Sequence, residues 1–139
     1  MKHDEFKLQK RVCTYLKYQY PHAPFLSDAI SNIKLTKPQQ QRNKQIQDQH
    51  FKCPDLMVFV PCGGYAGLFL ELKKETPFKL NGEIKASPKD HLRKQQEALQ
   101  RLNALGYNAS FQWDFDTIVK LIDDYFKNYH FFPLPNEKE

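Results

Sequence analysis

The chain predicts an α/β or α+β sandwich, a sheet with helices packed against both of its faces. Two observations carry this. Leu56-Met57-Val58-Phe59-Val60 and Leu68-Phe69-Leu70 are apolar at every position. Side chains of a strand alternate between faces, so Leu56, Val58, Leu68 and Leu70 share one face while Met57, Phe59 and Phe69 share the other. A sheet apolar on both sides must be covered on both sides. The second observation is that amphipathic helical segments flank these strands.

Length and composition bound the rest. The chain has 139 residues, which suits one domain over residues 1–139. Hydrophobic content of 40% with eleven Phe excludes disorder throughout. The formal net charge is +5, with a pI of about 9.1, which suits an anionic partner such as nucleic acid. No run reaches the ~18 apolar residues of a membrane span, and the polar N-terminus does not read as a signal peptide, so a cytosolic protein with no membrane partner is expected. Cys13, Cys53 and Cys62 are odd in number and form no Cys-x-x-Cys, as for reduced thiols rather than a disulfide or zinc framework. No Gly-rich phosphate loop or dinucleotide fingerprint is present, so no nucleotide cofactor is expected.

In chain order, residues 4–19 read as a helix from the period of Phe6, Leu8, Val12, Tyr15 and Leu16, ended by Pro21. Glu5 lies on the stripe Glu5-Gln9-Val12-Leu16. It either faces inward or serves the helix dipole in the first turn. Residues 20–33 are irregular, with a short strand near Ala23–Leu26. Residues 34–52 are basic and Gln-rich, either a helix or a loop, and either a flap carrying Arg42 and Lys52 toward DNA or a solvated insertion. A hairpin follows, residues 55–60 and 67–73, closed by Pro61-Cys62-Gly63-Gly64-Tyr65-Ala66. Residues 75–88 form a connection beside the hairpin's charged end. Ser87 and Pro88 open a helix to about Leu105, capped by Gly106. Its inner stripe is Leu92, Gln95, Leu99 and Leu102, and Gln95 is the polar exception. A buried amide needs partners, which are either backbone groups or a site. Lys89, Arg93 and Lys94 on the same helix suit a phosphate backbone. Residues 107–113 read as a strand, and Asp114 or Asp116 caps a last helix to about Tyr129. In the tail, residues 130–139, Phe131 and Phe132 suggest a dimer contact or a frayed end.

The chemistry gathers at one end of the hairpin. Asp55 opens the first strand, and Glu71 and Lys73 close the second on a shared face. Pairing centred on Gly63 sets Asp55 across from Glu71, where directly opposite Cβ atoms lie roughly 4.5–5.5 Å apart. Carboxylates that close repel unless a cation lies between them, and Mg²⁺ or Mn²⁺ takes such oxygens. A slip of one residue would send Asp55 to the other face. The plainer reading is a strand cap at Asp55 and a solvated edge at Glu71 and Lys73. His3, His22, His50, His91 and His130 have no metal-ligand spacing.

Pro54-Asp55-Leu56 followed by Glu71-Leu72-Lys73 resembles the signature of the PD-(D/E)XK nuclease superfamily. With the helical Glu5 before it, and Gln95, Leu102 and Gly106 after it, the pattern resembles the VRR-Nuc group found in phages and DNA-repair nucleases. The likeness spans residues 4–113. Phe51-Lys52-Cys53 departs from it, because the family carries a Gly shortly before Pro-Asp. The resemblance implies a restriction-endonuclease-like core, a mixed central sheet flanked by helices in the order αβββαβ. It also implies a structure-selective DNA nuclease using Mg²⁺ or Mn²⁺. Metal would be held by Asp55, Glu71, the Leu72 carbonyl and Glu5, the last directly or through water. Lys73 would position water or stabilise the pentacovalent phosphate, and Gln95 would orient water or phosphate. The DNA backbone would cross Lys74, Lys89, Arg93 and Lys94, and a homodimer would present two sites. The alternative is a weakly active or inactive nucleic-acid-binding module of the same fold.

Overall fold

The structure is a computed structural model that describes residues 2–28 and 34–131. Helix α1 (Lys2–Gln19) leads into strand β1 (Phe25–Ser27). Helix α2 (Lys37–Ile46) precedes β2 (Leu56–Val58) and β3 (Leu68–Leu72). Helix α3 (His91–Ala104), strand β4 (Asn108–Gln112) and helix α4 (Phe115–Phe126) follow. The four strands form one sheet in the order β1-β2-β3-β4. The first two pairings are antiparallel and β3–β4 is parallel, with α3 as the crossover. The expected mixed core, αβββαβ, is therefore present, with α2 inserted after β1 and α4 added at the end. Among the described residues no helix is long and apolar enough to cross a membrane.

Both faces of the sheet are covered, as the doubly apolar strands require. Leu56, Val58, Leu68, Leu70 and Leu72 face α1 and α4 and pack on Val12, Leu16, Ile118 and Ile122. Met57 and Phe69 face the other way, onto Leu99 and Leu102 of α3, with Ala109 and Phe111 beside them. Between α1 and α4, the Tyr15 and Tyr20 hydroxyls both donate to Asp123 Oδ1, at 2.6 and 2.7 Å.

Local signals explain most element ends. Thr36 caps α2 with Gln39 in a reciprocal box and Pro38 follows in the first turn. No residue of α2 is buried, so this helix stands on its capping and lacks the apolar period that would have marked it in the sequence. After α3, Gly106 at φ 100° closes a Schellman turn, with Tyr107 N donating to Leu102 O and Gly106 N to Asn103 O, both at 3.1 Å. Asp114, rather than Asp116, caps α4 by accepting from Thr117 N at 2.9 Å.

Two expectations are corrected. Helix α3 begins at His91, because Lys89 and Asp90 both adopt φ 54° in a preceding 3-10 turn, Pro88–Asp90. Ser87 still serves the helix, its hydroxyl accepting from Leu92 N at 2.8 Å. Helix α4 stops at Phe126 rather than Tyr129, where Asn128 at φ 66° turns the chain back. Phe131 then packs its ring against Tyr20, Phe126 and Tyr129. Phe132 and the rest of the tail lie outside the described residues.

Candidate active site

The register of the hairpin decides whether the two carboxylates meet. Cys62 and Tyr65 exchange backbone hydrogen bonds of 3.0 Å across Gly63 and Gly64, whose φ angles of 60° and 86° suit a two-residue hairpin loop of the primed kind. Carried straight back, that pairing would set Asp55 against Leu72. The strands instead pair Val58 with Leu68 and Leu56 with Leu70. Three residues (Phe59, Val60, Pro61) separate Val58 from Cys62, whereas two (Ala66, Gly67) separate Tyr65 from Leu68. The extra residue acts as a bulge that shifts the ladder by one position. The next step of the observed register sets Asp55 against Glu71, the pairing expected from a hairpin centred on Gly63.

Asp55 and Glu71 are in contact on the α3 face. Asp55 Oδ2 accepts from Leu72 N at 2.8 Å, and its carboxyl shares a hydrogen bond with Glu71. Glu71 is only 4% exposed, which removes the reading of a solvated edge. Burial first, then the hydrogen bond and the charge of Asp55, push the Glu71 carboxyl up to about 9, against the opposing pull of Lys73 and Lys52. Glu71 therefore holds its proton more tightly than an exposed carboxylate does.

A third oxygen is left over by Pro54. Ladder groups alternate along β3: Lys73 N donates to Gln112 O at 2.9 Å, on the β4 side, so the N–H and carbonyl of Leu72 turn toward β2. There the residue in register is Pro54, which has no N–H to donate. The Asp55 carboxylate takes the Leu72 N–H, and Pro54 supplies no ladder donor for the Leu72 carbonyl. Two carboxylates and this carbonyl are hard oxygen donors of the kind Mg²⁺ and Mn²⁺ accept.

Gln95 is the other buried polar side chain among the described residues. It projects from the inner face of α3, is 4% exposed, and its Oε1 has no hydrogen-bond partner among the described residues. A buried acceptor left unpaired costs on the order of 1–3 kcal/mol, so the position is held for something other than the fold. The site lies at the C-terminal ends of β3 and β4, where open α/β sheets bind ligands.

The other expected residues divide. Lys73 is half-buried beside Glu71. Glu5 does not join the carboxylate pair directly: among the described residues no three His, Cys, Asp or Glu stand close enough to hold a metal ion together. The α1 residue that reaches the pair is Gln9, one turn further on, whose Nε2 donates to Ser27 Oγ and to the Asp28 and Asp55 carbonyls. Glu5 instead lines a neighbouring cavity of about 180 Å³ with Lys73, Lys74 and Lys85. Arg93 is engaged by Asp90 of the preceding turn at 2.9 Å and by Glu97 of its own helix at 4.0 Å. Lys89 and Lys94 are exposed, and Arg42 lies on the solvated α2. Lys52 Nζ donates to His91 Nδ1 at 2.9 Å, an assignment that local sequence could not reveal across so many intervening residues. Burial first, and then the neighbouring lysines, hold both Lys52 and His91 below their ordinary pKa values, whereas Glu71 and Asp55 pull Lys52 back up and Asp55 does the same for His91. A neutral imidazole is the form that accepts the lysine N–H.

No family model matches the sequence, and no curated protein matches it. A solved structure does: the chain superimposes on a "VRR_NUC domain protein" with a TM-score of 0.58 and 21% identity, covering 88% of each chain. The fold is therefore that of a VRR-Nuc-like domain, the α/β nuclease-type core expected from the Pro-Asp and Glu-x-Lys segments.

Proposed function

We propose that this protein is a Mg²⁺- or Mn²⁺-dependent nuclease that hydrolyses DNA phosphodiesters, selecting by DNA structure rather than sequence. The observation that carries this is the Asp55–Glu71 pair, in which Glu71 is buried and feels the charge of Lys73, together with the unpartnered Gln95 Oε1 on α3. Asp55, Glu71 and the Leu72 carbonyl would hold the ion, and waters would complete its shell, as is usual for Mg²⁺ bound through one or two carboxylates. Glu5 would act through such a water. The bound ion supplies a water of lowered pKa and shields the phosphate.

The chain's own groups do the rest. A proton held by Glu71 would have to leave for an ion to bind there, so metal binding is expected to tighten as pH rises. Gln95 Oε1 accepts from the attacking water and holds it in line. Lys73 Nζ would stabilise the charge that grows on the phosphate oxygens. Lys52, Lys74, Lys89 and Lys94 surround the site with positive charge for a phosphate backbone, contacts that carry no base information and weaken with salt.

The test is cleavage of labelled single-stranded, duplex, flapped and four-way DNA with Mg²⁺, Mn²⁺ or EDTA. Lys73→Ala is expected to lower cleavage by about 10²–10³-fold with fold and DNA binding kept, the loss typical of removing one transition-state donor. Full activity in that variant overturns the mechanism. Salt-sensitive binding with no metal-dependent cutting by the wild type would instead identify a binding module.

A further inference from the structure

Between α3 and residues 49–52 lies a cleft of about 520 Å³, with Lys52 in its wall. We propose that it seats one unpaired nucleotide of the substrate strand, so that the enzyme cuts next to a base that has left the stack. This rests on the nuclease reading and specifies which DNA structure it selects.

The volume falls within the roughly 300–1,000 Å³ range of small-ligand sites, and a base held in a duplex cannot enter a side cleft without flipping out. The walls match a nucleotide part by part. Phe51 is half-buried against the α3-face cluster, which fixes its ring as a stacking surface. The Arg101 guanidinium lies 5.9 Å from that ring's centroid. Lys52 and Lys94 bring positive charge for phosphate, and Glu97 offers a carboxylate to the amino groups of a base edge.

The cleft is also preformed. Asp48 accepts from His50 N at 2.9 Å and from Arg101 at 3.4 Å, and its carbonyl accepts from Phe51 N at 3.3 Å. The turn that carries Phe51 is thereby tied to α3. Lys52 connects the cleft to the chemistry: it lines the cleft, bonds His91, and lies within electrostatic reach of Glu71, Asp55 and Lys73. A nucleotide seated on Phe51 therefore presents its neighbouring phosphate toward the pair.

The experiment uses the full chain in EDTA, so that cutting is off. Two hairpin DNAs are compared, one ending in a single unpaired 2-aminopurine and the other with that base paired. The expected result is tighter binding of the unpaired form, with quenched 2-aminopurine emission. Phe51→Leu keeps the apolar volume but removes the stacking ring, and should cut the preference for the unpaired form by about tenfold, whereas Phe51→Trp should keep it. Lys94→Gln, a surface change that spares the core, should lower the salt dependence by about one phosphate contact. Equal affinity for both hairpins, or a preference and a salt slope unmoved by Phe51→Leu and Lys94→Gln, overturns the cleft. Quenching that depends on Phe51 in a protein that never cuts overturns the nuclease reading alone, and metal-dependent cutting indifferent to Phe51 overturns the cleft alone.

Discussion

The two faces of the sheet are built from different material. Toward α1 and α4, Leu56, Val58, Leu68 and Leu70 meet Val12, Leu16, Ile118 and Ile122, all fully buried and all hydrocarbon. Toward α3 the apolar cluster is smaller, and the face carries Glu71 and Gln95, the two buried polar residues among those described. The first face can stabilise the fold with ordinary dispersion and desolvation. The second gives up part of that gain to hold a carboxylate out of water and an amide oxygen unpaired, a cost that points to chemistry.

Substitutions on the two faces should therefore behave differently. The largest loss of stability is expected on the hydrocarbon side: Ile122→Ala should lower the unfolding free energy by about 3 kcal/mol, as the cavity left in a fully packed site cannot close. Urea denaturation measures it, and a loss no larger than that of Leu99→Ala on the α3 face would remove the contrast.

Taken per pH unit, a smaller effect is expected at Glu71. Its carboxyl rises from 4.5 to about 9 on folding, so between those values the folded chain binds more protons than the unfolded one. The stability from this group is fully present below about pH 4.5 and is lost as pH rises toward about 9, by up to about 1.4 kcal/mol per unit. Urea midpoints taken in EDTA at several pH values should fall across this window, and Glu71→Gln should flatten the slope. A wild-type profile already flat would show that the pair holds no extra proton.

The smallest effect concerns the entry to α3. Lys89 stands at φ 54°, a region costly for a residue with a side chain, and Lys89→Gly should raise stability by about 0.5–1 kcal/mol. If the strain is kept for substrate, the same variant binds DNA less tightly. Unchanged stability would mean that the turn is unstrained.

How much of this was legible in the sequence follows from how local each cause is. The doubly apolar strands announced a two-sided cover, and the Gly-Gly turn with Asp55 and Glu71 at fixed distances from it announced the pairing. The bulge that produces that pairing was not legible, since Phe59-Val60-Pro61 reads as a continuing strand and its extra residue exists only relative to Ala66-Gly67. Glu5 and Gln9 share one helical stripe, and nothing in a stripe says which turn reaches the sheet end. The turn at Lys89 and Asp90 was hidden because both residues also occur within ordinary helices. The cleft under Phe51 joins segments far apart in the chain, and no local pattern encodes such a meeting.

Pro54 has one more consequence. Because it breaks the ladder opposite Leu72, that residue's amide proton is bound by a side chain, Asp55 Oδ2, at 2.8 Å, in place of a strand carbonyl. The molecule thus contains its own spectroscopic probe. A single nitrogen–proton cross-peak, from Leu72, should move when Asp55 turns to another ligand and stay still when DNA merely settles on the basic surface, reporting occupancy of the acidic pair without any attached label.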